Sequence, residues 1–324
     1  VIGVSLTPRD RVLVLGASGW FGRTFLGLLD PQITLMACAG STRGRYVAWD
    51  AHAVQDFSPT VVVNFAFLTR DRISTVGIEQ YMNVNSCLTN TFINTAQLPS
   101  VRAALTVSSG AAVASTDDVA ANPYGALKKH EEDLTLELIS ESRAMVVARA
   151  WSISGPDVQK PHNYAFSDMI LQAAAGHILV SSEQPTFRRY VSVRDYLSVC
   201  FDSLLRGASG VIDSGGQLIE MGELATRIAT VVNLNARVDR VAQVSSAPSV
   251  YASDNVTWMK ACASAGLRTS TLDEQIRSAA EGLLRRGSPE MQKHRPTTVG
   301  THREEGAHGD ERDDRLRPTS AHGE

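Results

Sequence analysis

Short apolar runs alternate with stretches of helical periodicity along most of the chain. Arg11-Val12-Leu13-Val14-Leu15, ended by Gly16, has the pattern of a strand buried on both faces of a parallel sheet. After it Phe21, Phe25, Leu26, Leu28 and Leu29 recur at helical spacing, and Asp30-Pro31 stops the helix. Ile33 to Ala37 predicts the next strand, Val61 to Phe65 a later one, and Leu105 to Ser109 another. Such alternation of strand and helix predicts an α/β fold built on a doubly wound parallel sheet. The pattern changes near Ser288. From 288 to 324 the chain is rich in Arg, Glu, Asp, His, Gly, Pro and Thr and nearly free of large apolar residues. A segment of that kind cannot bury enough surface to offset its ordering entropy, so it is expected to be a disordered tail.

Composition narrows the function classes. A chain of 324 residues can bury a large core in one big domain or two coupled ones. Its formal net charge of -3 gives no electrostatic case for nucleic acid or an anionic membrane as partner. No apolar run is long enough to span a bilayer, and no signal peptide is seen. Cys38, Cys87, Cys200 and Cys262 are scattered and are expected to be free thiols in a reducing cytoplasm. His294, His302, His308 and His322 fall in the tail at spacings that fit no metal site. His130 and His162, nearer the motifs described next, read as surface or structural residues.

Gly16-Ala17-Ser18-Gly19-Trp20-Phe21-Gly22 lies on the first strand-to-helix turn. Gly16 allows backbone angles that a side chain forbids, Gly19 allows a pyrophosphate close to the main chain, and Gly22 allows tight helix packing. The helix N-terminus offers N–H groups to phosphate, so Gly16, Ser18, Gly19, Trp20, Phe21 and Gly22 are candidate cofactor-binding residues. A tight turn without ligand would show the same glycines. Cys38 to Arg45, after the second strand, contains no acid to accept from ribose hydroxyls but offers hydroxyls and two arginines. That chemistry suits a 2′-phosphate, and it favours NADP(H), with NAD as the alternative and Arg43 as the contact. Arg43 and Arg45 read equally as solvated loop charges. Asp50 is a candidate for the adenine amino group.

Tyr124 and Lys128 are four residues apart, so a helix sets them on one face. A free tyrosine, with a pKa near ~10, is a poor acid at neutral pH, and a neighbouring ammonium lowers that value. Tyr124 would then protonate a carbonyl oxygen as hydride reaches its carbon. Lys128 would activate the phenol and hold the cofactor ribose. Ser109, at the end of an expected strand, is placed to hydrogen-bond the same carbonyl, and a turn or capping serine would look alike.

These residues resemble the extended short-chain dehydrogenase/reductases, in their nucleotide-sugar epimerase, dehydratase and reductase branch. The resemblance covers about residues 10 to 285 and rests on several motifs. They are Gly16-x-x-Gly19-x-x-Gly22, Asp50, Asn64-Phe65-Ala66, Asn85, Ser108-Ser109-Gly110, Tyr124-x-x-x-Lys128, Arg149 leading to Gly155-Pro156, and Arg188 to Asp195. It implies a Rossmann domain over 10–155 carrying Tyr124 and Lys128. It also implies a smaller, mainly substrate-binding lobe over 156–287, some of whose strands and helices return to the core. Ala66 would touch the cofactor, Arg188 would grip a nucleotide diphosphate, and Asn163 would contact the same phosphates. Gly110-Ala111-Ala112-Val113 lacks the acidic pair of the 4,6-dehydratases, which argues against dehydration. The expected activity is NADPH-dependent reduction of a nucleotide-linked 4-keto-6-deoxysugar in a cytoplasmic homodimer. An NAD-dependent nucleotide-sugar 4-epimerase would use the same residues, and a non-catalytic NADP-binding regulator could keep the glycine turn.

Overall fold

The computed structural model describes residues 6–113 and 121–287, so the tail expected at 288–324 lies outside the described residues. The chain starts with β1 (Arg11–Leu15), α1 (Trp20–Leu26), β2 (Thr34–Ala39), β3 (Val47–Ala48), α2 (Ala51–Phe57) and β4 (Val61–Asn64). It continues through α3 (Ile73–Val76), α4 (Ile78–Ala96), β5 (Ala103–Ser109), α5 (Pro123–Glu137) and β6 (Ala144–Ala150). Next come β7 (Ser152–Ser154), α6 (Ala165–Ala174), β8 (His177–Val180), β9 (Thr186–Ser192), α7 (Val193–Leu205) and β10 (Gly210–Asp213). The last elements are β11 (Gln217–Glu220), α8 (Met221–Val232), β12 (Arg237–Arg240), β13 (Ser249–Tyr251), α9 (Val256–Ala265) and α10 (Leu272–Gly287).

Among the described residues seven strands form one parallel sheet in the order β10-β6-β5-β4-β1-β2-β3. Its central strands are apolar throughout because both faces are covered. Val12 and Val14 of β1 face a core with Phe25 of α1 and Tyr196 and Phe201 of α7. Leu13 and Leu15 face the opposite core with Val54 of α2 and Phe92 of α4. Val61 and Val63 against Val62, and Val146 against Met145, repeat this division. This is the doubly wound sheet that the alternation predicted.

Strand edges differ from the sequence expectation by a residue or two: β2 starts at Thr34 and β4 ends at Asn64, and two further differences have visible reasons. β2 reaches Ala39 because Cys38 and Ala39 pair with Val47 and Ala48 of β3. β5 starts at Ala103, earlier than Leu105, because Ala103 and Ala104 pair with both β4 and β6. Alanine is a poor strand former alone, and long-range pairing overrides it.

A second core gathers Phe166 and Ile170 of α6, Ile178 of β8, Tyr190 of β9, Leu224 and Ile228 of α8 and Ile276 of α10. β9 is the centre of a smaller sheet, flanked by β7, β11 and β13. Trp20 packs against both cores and joins them at the end of β1. No helix among the described residues is long and apolar enough to cross a membrane.

The sheet order reverses between β1 and β4, and a crevice opens at such a reversal, beyond the carboxyl ends of the strands. Gly16 closes it from one side with φ of 69°, and a Cβ there would stand 2.5 Å from the Ala66 nitrogen and the Phe65 carbonyl carbon. Gly16→Ala therefore combines a disfavoured backbone with a collision against main chain. It should lower stability by about 2 kcal/mol or more in urea denaturation, and a loss under about 0.5 kcal/mol would contradict this packing.

Candidate active site

The glycine turn is built by steric need. A Cβ on Gly22 would lie 2.5 Å from the Gly16 carbonyl oxygen, so this glycine lets α1 sit on the turn. A Cβ on Gly19 would meet only the Gly16 oxygen, at 3.3 Å, so its outer side is open. No side chain caps α1 at Gly19, and Gly19, Trp20 and Phe21 line a cavity of about 670 Å³. The Ser18 carbonyl accepts from Arg23 Nη1 at 2.8 Å, and Arg23 Nη2 reaches the Asp157 carbonyl at 3.2 Å. The turn is thus braced by the segment after β7.

On the opposite wall α5 starts at Pro123, whose missing N–H costs nothing at that position. The Asn122 side chain caps the helix through the Gly125 N–H at 3.0 Å and donates to the Ala111 carbonyl at 3.3 Å. Gly125 has no room for a Cβ beside Asn122 and Ala111. α5 is therefore pressed against the turn that follows β5, which brings Tyr124 to Ser109. The Ser109 hydroxyl accepts from the Ala111 N–H at 3.2 Å and acts on the neighbouring phenol. It is a capping serine and a cavity residue at once. Burial pushes the Tyr124 phenol above its ordinary range, and the Ser109 hydroxyl opposes that shift.

Lys128 is 4% exposed. Its Nζ donates to the Val107 carbonyl at 2.8 Å and to Glu131 Oε2 at 3.2 Å, and it lies 3.7 Å from the centre of the Phe67 ring. Burial pushes the ammonium below the usual lysine range, while Glu131 acts in the other direction. Phe67 also meets the Tyr124 ring edge-on at 5.8 Å, so it touches both halves of the pair. Arg149 reaches Glu132 with two bonds, at 2.9 and 2.6 Å, and Asp213 with a third at 3.3 Å. Asp213 in turn accepts from the Trp151 indole at 2.7 Å, fixing an aromatic side chain that lines the cavity. Buried Asn85 holds the Leu68 backbone by both its oxygen and its nitrogen, at 2.7 and 3.3 Å.

The structure brings together Gly19, Trp20, Phe21, Ser109, Tyr124, Lys128, Asn163 and Arg188 on one cavity. The Arg188 guanidinium stacks over the Tyr251 ring at 4.9 Å. Lys160 and Asp71 form an ion pair between the two sides of the same cavity. Gly16, Ser18, Gly22, Arg43, Asp50 and Ala66 do not line it. The Ala66 N–H donates to the Asn64 side chain at 3.0 Å. Asp50 spends one oxygen on the Ala53 N–H at 2.8 Å as the cap of α2. Arg43 stands exposed in a turn closed with Tyr46, and its guanidinium has no partner among the described residues. His162 is exposed and pairs with Asp168 at 2.6 Å, and His130 is exposed on α5.

Glu131, Phe67 and Trp151 were not legible as site residues. Glu131 stands one turn beyond Lys128 and could have been marked as its partner at that spacing. Phe67 and Trp151 carried no local signal. The residues fit a dinucleotide: Gly19 is uncapped and open, and Trp20 Nε1 and Ser108 Oγ are buried at the cavity without hydrogen-bond partners among the described residues.

A parallel sheet with a glycine turn at its switch point defines a nucleotide-binding α/β protein. The chain belongs to the NAD dependent epimerase/dehydratase family, whose model matches residues 12–214. A comparison with curated proteins finds no match. Among solved structures the fold is similar to RMD from Pseudomonas aeruginosa complexed with NADPH, at 18% identity and a TM-score of 0.66, over 86% of this chain and 99% of that one. It is also similar to the UDP-glucose 4-epimerase from Brucella ovis in complex with NAD, at 20% identity and a TM-score of 0.65, over 85% and 98% of the two chains. MlghC, a GDP-mannoheptose C4 reductase from Campylobacter jejuni with NADP bound, matches at 13% identity and a TM-score of 0.67, over 86% and 99%.

Glu132 is 1% exposed, and Arg149 is its neutralising partner. Arg149→Met should leave a buried carboxylate uncompensated and cost about 3–5 kcal/mol in urea denaturation. A loss below about 1 kcal/mol would show that the pair bears little on stability.

Proposed function

We propose that this chain is an NADPH-dependent ketoreductase acting on a nucleotide-linked 4-keto-6-deoxysugar. The observation that carries this reading is the convergence of Ser109, Tyr124 and Lys128 on the cavity that the glycine turn closes. When bound, NADPH supplies hydride. The chain's own residues supply position and the proton. Ser109 orients the substrate carbonyl through its hydroxyl, and Tyr124 gives that oxygen its proton. Burial raises the Tyr124 phenol, against the lowering expected from a neighbouring ammonium, so it holds its proton at neutral pH until a substrate oxygen takes it. Lys128 acts beside it as the activating ammonium and the ribose contact. Arg188 and Asn163 hold the diphosphate from the opposite lobe, and Trp151 and Tyr164 form apolar walls that exclude water.

The cofactor preference rests on the exposed, unpaired guanidinium of Arg43 beyond β2, a group free to meet a 2′-phosphate. RMD with NADPH and the mannoheptose C4 reductase with NADP bound support the reductase. The UDP-glucose 4-epimerase with NAD is the observation that keeps an NAD-dependent epimerase as the second reading. The intact Tyr124–Lys128 pair speaks against a non-catalytic regulator.

Two experiments test these assignments. Arg43→Ala should weaken NADP binding by about 10- to 100-fold and leave NAD binding nearly unchanged, as titration of both cofactors would read. Wild-type protein that bound NAD as tightly as NADP would favour the epimerase. Tyr124→Phe should cut turnover by about 10²–10⁴, with NADP binding intact, when NADPH oxidation by a nucleotide-linked 4-keto-6-deoxysugar is followed. Ser109→Ala should cut turnover less, and Lys128→Met should damage turnover and cofactor affinity together. Wild-type turnover in the Tyr124→Phe protein would end this mechanism.

A further inference from the structure

Lys128 is an ammonium in a place that resists charge. It is 4% exposed, with one donor on the Val107 carbonyl and a phenyl ring over its head. Neither partner carries a negative charge. The carboxylate that does is Glu131, itself 1% exposed and 3.2 Å away. Two further elements fix Glu131 in that position. Asn64 at the end of β4 donates from Nδ2 to Glu131 Oε1 at 3.0 Å, and the Thr106 hydroxyl of β5 donates to the same oxygen. One oxygen is thus pinned by the sheet, and the other faces Lys128. A surface salt bridge would have none of this support, whereas a buried pair survives only when its remaining lone pairs are satisfied.

We propose that Glu131 is the counter-ion that keeps Lys128 an ammonium, and so sets how far into alkaline pH the site works. This rests on the reading of Lys128 as the cationic neighbour of Tyr124 and the cofactor ribose. Glu131 acts through Lys128 and is a positioning residue. The other charged groups around the pair are already matched. Glu132, on the same helix, also favours the Lys128 ammonium, less than Glu131 does, and is itself held by Arg149 of β6, with Asp213 of β10 on the far side of that guanidinium. Asp71 and Lys160 pair with each other at the cavity, and Arg188 of β9 stands over Tyr251. The remaining titratable neighbours of Tyr124 are the phenols of Tyr81, Tyr164 and Tyr251.

The sign follows from burial. Burial favours the neutral amine, and Glu131 opposes it. Without the carboxylate Lys128 should lose its proton at lower pH, so function that needs the ammonium should be present at acidic pH and fall earlier as pH rises. The chain has five lysines, at 128, 129, 160, 260 and 293, few enough to resolve by NMR with carbon-13-labelled lysine. The Lys128 signal is assigned by its loss in Lys128→Met. In Glu131→Gln its titration should move down by about one unit or more relative to wild type. NADPH-dependent turnover in that variant should approach wild type near the acidic end of the range and decline at lower pH than wild type does. Glu131→Asp keeps the charge, guards against a folding failure, and should show a smaller shift in the same direction. An unmoved Lys128 titration in Glu131→Gln overturns the proposal, and so does a shift in Glu131→Asp as large as that in Glu131→Gln. The two readings fail separately: wild-type turnover in Lys128→Met would defeat the catalytic role of Lys128, whereas the counter-ion role of Glu131 is read by the NMR titration, which needs no turnover.

Discussion

The close approach of two backbones at the β1–β4 reversal is the constraint on which the rest depends. Gly16 takes a positive φ because the chain must turn there against Phe65 and Ala66 with no space for a side chain. That contact fixes where α1 begins, and so where Gly19, Trp20 and Phe21 face the cavity. It also fixes the end of β4, where Asn64 reaches across to Glu131 and to the Ala66 N–H. The glycine turn and the buried charge under the Tyr–Lys pair are therefore two consequences of one steric requirement.

The second lobe completes the site through aromatic and polar contacts. Trp20 meets Tyr164 edge-on at 5.6 Å, while Arg23 and the Lys160–Asp71 pair tie the same segment to the nucleotide-binding side. Arg188 is on β9 and Trp151 lies between β6 and β7, and because β9 pairs with β7 immediately after Trp151 the small sheet sets both at the cavity. Charge is matched as it is buried. Arg149 with Glu132 and Lys128 with Glu131 place two ion pairs at consecutive acidic residues of α5.

The parts of this site that were legible in sequence are those written in local pattern. The glycine turn, the strand before it and the Tyr124–Lys128 spacing need only a few consecutive residues to state their chemistry. The doubly wound sheet was legible for the same reason, since burial on both faces leaves near-continuous apolar runs. The contacts of Glu131 with Asn64 and Thr106 span 67 and 25 residues, and no local period reports them. Asp50 shows a different limit. Its position after β3 matched a cofactor role, yet one of its oxygens caps α2, and a single acidic residue before a helix reads equally well as either. Phe67 gave no signal because a large apolar residue after a strand is ordinary, whereas its place over Lys128 is not.

The most direct measurement is the fate of the hydride itself. The protein would be incubated with NADPH deuterated at the transferable position and a nucleotide-linked 4-keto-6-deoxysugar, and the sugar examined by mass spectrometry and NMR. Deuterium at C4 of a 4-hydroxy product, with NADP formed in equal amount, is the result expected of a reductase built on Tyr124, Lys128 and Ser109. Unlabelled 4-keto sugar and unconsumed NADPH, with protein carrying NAD interconverting the 4-epimers of a nucleotide-linked 4-hydroxy sugar given in its place, would contradict it.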